Sequence, residues 1–130
     1  METRGISASM ANGAVTYVDR DDQTGQIPWN AHPKFKGVSL KHLITGQDTN
    51  GKLSCHLVRL DPNSVLEEHV HERQLELHEV IEGEGSFILG DRETAYHLGC
   101  MAVIPEGMRH KVIAGKGGLV LLAKFCPASM

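Results

Sequence analysis

The chain has 130 residues, of which 41% are hydrophobic and 22% charged, the balance of one globular domain with a core of its own. A formal net charge of −3 without a basic run argues against a nucleic-acid partner, and no apolar stretch is long enough to span a bilayer. Cys55, Cys100 and Cys126 are odd in number and lack CxxC spacing, and the first ten residues hold no secretory-type apolar segment, so free thiols and a cytoplasmic location are expected.

In chain order, residues 1–35 read as an arm and 36–130 as a single barrel domain. The arm carries one strand-like run at 14–18 and then the polar, turn-rich stretch DRDDQTGQ. An edge strand of that length needs a partner or a cover, so a homodimer is expected. From residue 37 onward, short apolar runs recur every eight to twelve positions, the pattern of an all-β sandwich or barrel. Strands are predicted over 37–44, 53–60, 65–71, 75–82, 86–89, 94–98, 100–104, 110–114 and 119–125. The links between them, including 83–85 and 115–118, hold Gly, Pro, Asn or Asp and read as turns. No window keeps a 3.6-residue apolar period, so helix should be scarce.

Eight histidines is a high number for this length. His69 and His71 are one residue apart, and on a strand such side chains share a face. Glu76 lies beyond a short turn and returns a carboxylate toward the same point from the next strand. His110 follows Pro-Glu-Gly, a turn that restarts the chain beside these strands. Three neutral imidazoles and one carboxylate suit one divalent metal ion, of the Mn, Fe, Ni or Zn type.

The longer strings are more specific. Residues 63–83 read NSVLEEHVHERQLELHEVIEG, and residues 99–110 read GCMAVIPEGMRH. Together they resemble the two motifs of the cupin superfamily, G-x5-HxH-x3,4-E-x6-G and G-x5-PxG-x2-H-x3-N. On that resemblance His69, His71, Glu76 and His110 are the metal ligands, and Gly83, Gly99, Pro105 and Gly107 are the turn positions. Asn63 stands where the motif has Gly, and Asn is the next best residue for a left-handed turn. Ala114 stands where the second motif ends in Asn, which does not touch the ligand set.

The resemblance implies a small conserved barrel, an antiparallel double-stranded β-helix or jelly roll, dimeric through its N-terminal strands. It also implies a small-molecule ligand or substrate. The family's activities run from dioxygenation and oxalate decarboxylation to sugar-phosphate isomerisation, lyase chemistry and non-catalytic sensing. The reading preferred here is a metalloenzyme with dioxygenase- or decarboxylase-like chemistry. The alternative is a metal- or small-molecule-binding sensor.

The strand after Glu76 departs from the family by carrying His78 and Glu79. Period-2 alternation turns His78 inward with Glu76 and Val80, while Leu77, Glu79 and Ile81 face out. His78 is therefore expected to line the cavity, either as a catalytic acid or base or as a group orienting Glu76. His32, His42, His56 and His97 lie outside the motifs and read as surface or packed residues. Arg59 and Arg109 are the arginines beside the site strands, available for a substrate carboxylate or as plain surface charge. Trp29 reads as packing, and Met108 as apolar wall.

Overall fold

The computed structural model describes residues 5–130. Two long strands organise it: β7 (Leu75–Leu89) and β10 (His110–Cys126). They pair antiparallel from Leu75 opposite Cys126 to Leu89 opposite His110. The predicted turns at 83–85 and 115–118 are not turns. They are bends inside continuous strands, where the pairing register shifts between Ala114 and Leu119. Gly83 sits there at φ +81°, and a Cβ on it would lie 2.1 Å from the Gly118 carbonyl oxygen. Only glycine lets the two backbones cross this closely, and the crossing carries both strands from one sheet of the barrel into the other.

The remaining strands attach to the two halves of this pair. The C-terminal half of β10 pairs with β5 (Ser54–Leu60), which pairs with β4 (Val38–Ile44). The N-terminal half of β7 takes β9 (Met101–Ile104). On the other side, β6 (Val65–His69) pairs with the start of β10, and β8 (Arg92–His97) pairs with the end of β7. All of these pairings are antiparallel, so the chain is the expected all-β jelly-roll barrel.

Helix is scarce, as expected, but not absent. Helix α1 (Ile6–Ala11) lies in the arm, and α2 (Gly46–Thr49) forms part of a loop predicted as a turn. The Thr45 side chain and Asp48 close a capping box that sets the start of α2. The arm's strand-like run is shorter than predicted. β1 (Ala14–Thr16) folds back on β2 (Asp21–Gln23), which forms from the stretch read as turn-rich. The chain thus pairs that edge itself, which removes the reason given for expecting a second copy. β3 (Asn30–Ala31) already belongs to the main sheet through β4.

Two apolar layers result. The barrel interior holds Val58, Leu60, Phe87, Tyr96, Val112 and Leu121, all buried. A second layer, with Leu43, Leu57, Ile81, Val120 and Leu122, lies on the outer face of β4, β5, β7 and β10 beneath Met10, Ala11, Ile27 and Trp29. This is why 119–123 reads as an unbroken apolar run: that segment is buried on both faces. Lys41 anchors the cover, its buried ammonium donating to the Ala11 and Thr24 carbonyls at 2.9 and 2.7 Å.

Candidate metal centre

Each of the four expected ligands is delivered by a different local device. β6 ends at His69, and His71 follows it two residues on. The loop after β9 runs Pro105-Glu106-Gly107-Met108, with the Met108 N–H on the Pro105 carbonyl and Gly107 at φ +73°, the geometry of a turn that needs glycine at its third position. The Gly107 N–H donates to the His71 carbonyl at 3.0 Å, tying the two motif loops together. His110 then opens β10 directly opposite His69, and the two rings stand 4.1 Å apart. Glu76 is the second residue of β7 and is 3% exposed.

His69, His71, Glu76 and His110 bring one potential ligand atom each to within 4.8 Å of one another. The backbone sets the state of two of the imidazoles. His69 Nδ1 lies 2.7 Å from the Glu67 carbonyl, and His110 Nδ1 lies 3.0 Å from the Met108 carbonyl. A carbonyl can only accept, so each Nδ1 carries the proton and each Nε2 keeps a lone pair. His110 Nε2 faces Glu76 Oε1 at 3.2 Å without hydrogen-bond geometry, and both atoms are buried with no partner. Two buried acceptors facing each other are costly unless a cation lies between them. The donor set therefore fits a divalent ion of the harder or borderline type.

Electrostatics point the same way. Burial pushes His69 down to about 4 and lowers His71, so both stay neutral near pH 7. Burial alone would raise the Glu76 carboxyl, but His78, whose Nε2 lies 2.8 Å from Oε2, holds it well below the usual carboxylate range.

His78 is inward, as the alternation predicted, and 1% exposed. Its Nε2 donates to Glu76 Oε2 at 2.8 Å, and Tyr96 Oη lies 3.0 Å from its Nδ1. Burial keeps the Tyr96 phenol protonated, so it donates in turn. His78 thus stands behind Glu76, between the carboxylate and the Phe87–Tyr96 stack, and is not among the residues that line the open cavity.

That cavity, about 190 Å³, opens on His69, His71 and Glu76, with His110 buried behind them, and is walled by Leu40, Val58, Leu66 and Phe125. It is also lined by His32, His42 and His56, which sequence reasoning left as surface or packed residues. One signal was available: His56 shares its parity on β5 with the buried Val58 and Leu60. The pairing that sets His42 against His56 is a tertiary fact. His97 is exposed on β8. Neither arginine reaches the cavity. Arg59 lies over the Trp29 ring on the outer face, and Arg109 pairs with Asp91 and Glu68. Met108 is 38% exposed and lies off the cavity wall.

Residues 56–123 match the sequence profile of the cupin domain. Among solved structures, a predicted oxalate decarboxylase from Thermotoga maritima is 22% identical with a TM-score of 0.73, over 81% of this chain and 96% of that one. KdgF from Halomonas sp. is 21% identical with a TM-score of 0.69, over 79% and 88%. An RmlC-like cupin from Shewanella frigidimarina is 18% identical with a TM-score of 0.72, over 83% and 90%. At these identities the likeness is one of fold. No curated protein matches the chain.

Proposed function

We propose that this chain, which belongs to the cupin domain family, is a metalloenzyme that acts on a small organic molecule through one divalent ion of the Mn, Fe, Ni or Zn type. The observation that carries the reading is the pair of orphaned, buried acceptors, His110 Nε2 and Glu76 Oε1, where Glu76 borders an apolar cavity. His69, His71, Glu76 and His110 would hold the ion. A bound ion supplies Lewis acidity and a template for an oxygen ligand.

The chain's own groups then have separable tasks. Glu76 keeps one oxygen for the centre and gives the other to His78. His78, braced by Tyr96, fixes the carboxylate's orientation and keeps a proton at Nε2, so we assign it a positioning role behind the centre. Leu40, Val58, Leu66 and Phe125 exclude water around the substrate body. The described lining residues include no lysine or arginine, which disfavours phosphorylated sugars as substrates. Dioxygenation or decarboxylation of a small carboxylate or carbonyl compound is the reading preferred here. One of the solved relatives, by its name a predicted oxalate decarboxylase, is in keeping with it.

Elemental analysis of untagged protein, followed by oxygen-uptake and carbon-dioxide-release assays over a panel of phenols, diketones and small acids, tests this. Stoichiometric metal with turnover of at least one compound is expected. Stoichiometric metal with no turnover across the panel favours the sensing alternative, and no metal overturns both.

A further inference from the structure

The wall of the cavity across from the metal centre holds a second polar cluster that the reading above does not use. His42 on β4 and His56 on β5 are register partners, and their Nδ1 atoms lie 2.8 Å apart. Such a contact holds one proton, so one ring donates through Nδ1 and the other accepts. His56 is 3% exposed, with its Nε2 3.2 Å from Ser129 Oγ. The Ser129 N–H in turn donates to Ser54 Oγ at 2.9 Å, which locks the tail onto the pair. His56 is thus saturated. His42 is only half-buried, lines the cavity, and makes no hydrogen bond through Nε2 among the described residues. The free valence of the whole relay is therefore His42 Nε2. Transfer of the shared proton to His56, with one proton released from His56 Nε2 toward Ser129 and one taken up at His42 Nε2, turns that atom from acceptor to donor and leaves both rings neutral.

A single phenyl ring separates the two ends. Phe125 packs edge-on against His56, with centroids 5.6 Å apart, and edge-on against His71 at 4.9 Å. With Leu40, Val58 and Leu66 it makes an apolar slot between two polar poles. Charge narrows the occupant further. A divalent ion with the Glu76 carboxylate and neutral imidazoles carries one net positive charge, and no lysine or arginine is among the described lining residues. One negative charge balances it, and a second would be buried without compensation.

We propose that the His42–His56 relay is the second recognition pole of the cavity, and that its ligand is a small, flat monoanion with an apolar body and an oxygen function at each end, one for the metal and one for His42. This rests on the metal-centre reading above. An oxygen at the far end completes His42 and is desolvated without loss, whereas a ligand lacking it leaves His42 Nε2 unpaired.

Benzoate and 4-hydroxybenzoate are probes that differ only at that end. In calorimetric titrations of the Mn²⁺-loaded protein, 4-hydroxybenzoate should bind about tenfold more tightly than benzoate. In His42→Ala that advantage should vanish, while Mn²⁺ affinity stays as in the parent protein. A second measurement is independent of any variant: 4-hydroxybenzoate, but not benzoate, should move the ¹⁵N resonance of His42 Nε2, read in the Zn²⁺-loaded protein. Equal affinities in the parent, an advantage retained in His42→Ala, or an unmoved resonance overturns this inference and leaves the metal centre standing. Failure of the parent protein to take up Mn²⁺ overturns both.

Discussion

The histidines of the metal centre and His32 on the cavity wall are held in opposite tautomers by the backbone beside them. At the metal end, the Glu67 and Met108 carbonyls accept from His69 and His110 Nδ1, so lone pairs face inward. On the cavity wall, the Lys34 and Phe35 N–H groups both donate to His32 Nδ1, at 3.0 and 3.2 Å. That leaves His32 with its proton on Nε2, a donor. The same side chain therefore offers a lone pair or an N–H to the site depending on which backbone group flanks it. Counting histidines does not separate the two kinds, because the deciding groups belong to the backbone.

The strongest way to break this comparison is to remove a ligand. His110→Ala should lower metal affinity by roughly a hundredfold or more, since even groups behind a ligand are worth 10–100-fold. Its circular dichroism should stay that of the parent, because a core of this size does not depend on the ion. Metal retained at parental affinity would remove His110 from the ligand set.

A step outward, His78→Phe should weaken metal binding by about 10–100-fold without touching the ion, because Glu76 loses the donor that orients it. Tyr96→Phe should act in the same direction and less, since it removes only the brace on His78. Equal affinities in all three proteins would mean that the carboxylate is positioned by the fold alone.

The far end supplies a pH signature. Burial, with His42 next to it, pushes His56 down to about 4, and Glu76 offsets this only in part. An unfolded chain takes up that proton near pH 6.5, so between about 6.5 and 4 it binds more protons than the folded one. Stability of the metal-free protein should then be full above pH 6.5 and fall as pH drops through this window, by about 2 kcal/mol at pH 5 from His56. Denaturant melts of the parent and His56→Leu at pH 7 and 5 would show it as a smaller loss in the variant. An identical loss in both would place the titrating group elsewhere.

The gentlest test leaves the protein intact. In ¹⁵N spectra of the metal-free protein, His69 and His110 should appear as Nδ1–H tautomers and His32 as the Nε2–H tautomer. Adding Zn²⁺ should shift the Nε2 signals of the first two and leave His32 unmoved. A shift at His32 would mean that the ion engages His32 and not only the expected four residues.

Much of the metal end was legible before any coordinates. The His69–His71 spacing shares a face because strand side chains alternate, and the same parity turned Glu76, His78 and Val80 inward and Ile81 outward. Asn63 adopts the left-handed conformation, φ 62°, in which it replaces the motif glycine. Where parity ends, the reading failed. Glycines at 83–85 and 115–118 are local turn signals, yet here they let two strands cross, and nothing local tells a turn from a crossing. The stretch DRDDQTGQ reads as turn-rich for its polarity, but hairpin pairing with β1 satisfies the backbone of Asp21–Gln23.

By itself, then, the sequence determined the barrel class, the grouping of His69, His71, Glu76 and His110 and the inward face of β7, because each depends on period-2 alternation, on turn chemistry within a few residues or on the motif strings that carry the family resemblance. The tertiary structure alone decided that His42 meets His56, that Ser129 closes behind them, and that His78 turns its proton to Glu76 and not to the open cavity. Those contacts join residues brought together by strand register and by the returning tail, and hydrogen bonds across such separations are set by which backbones lie side by side.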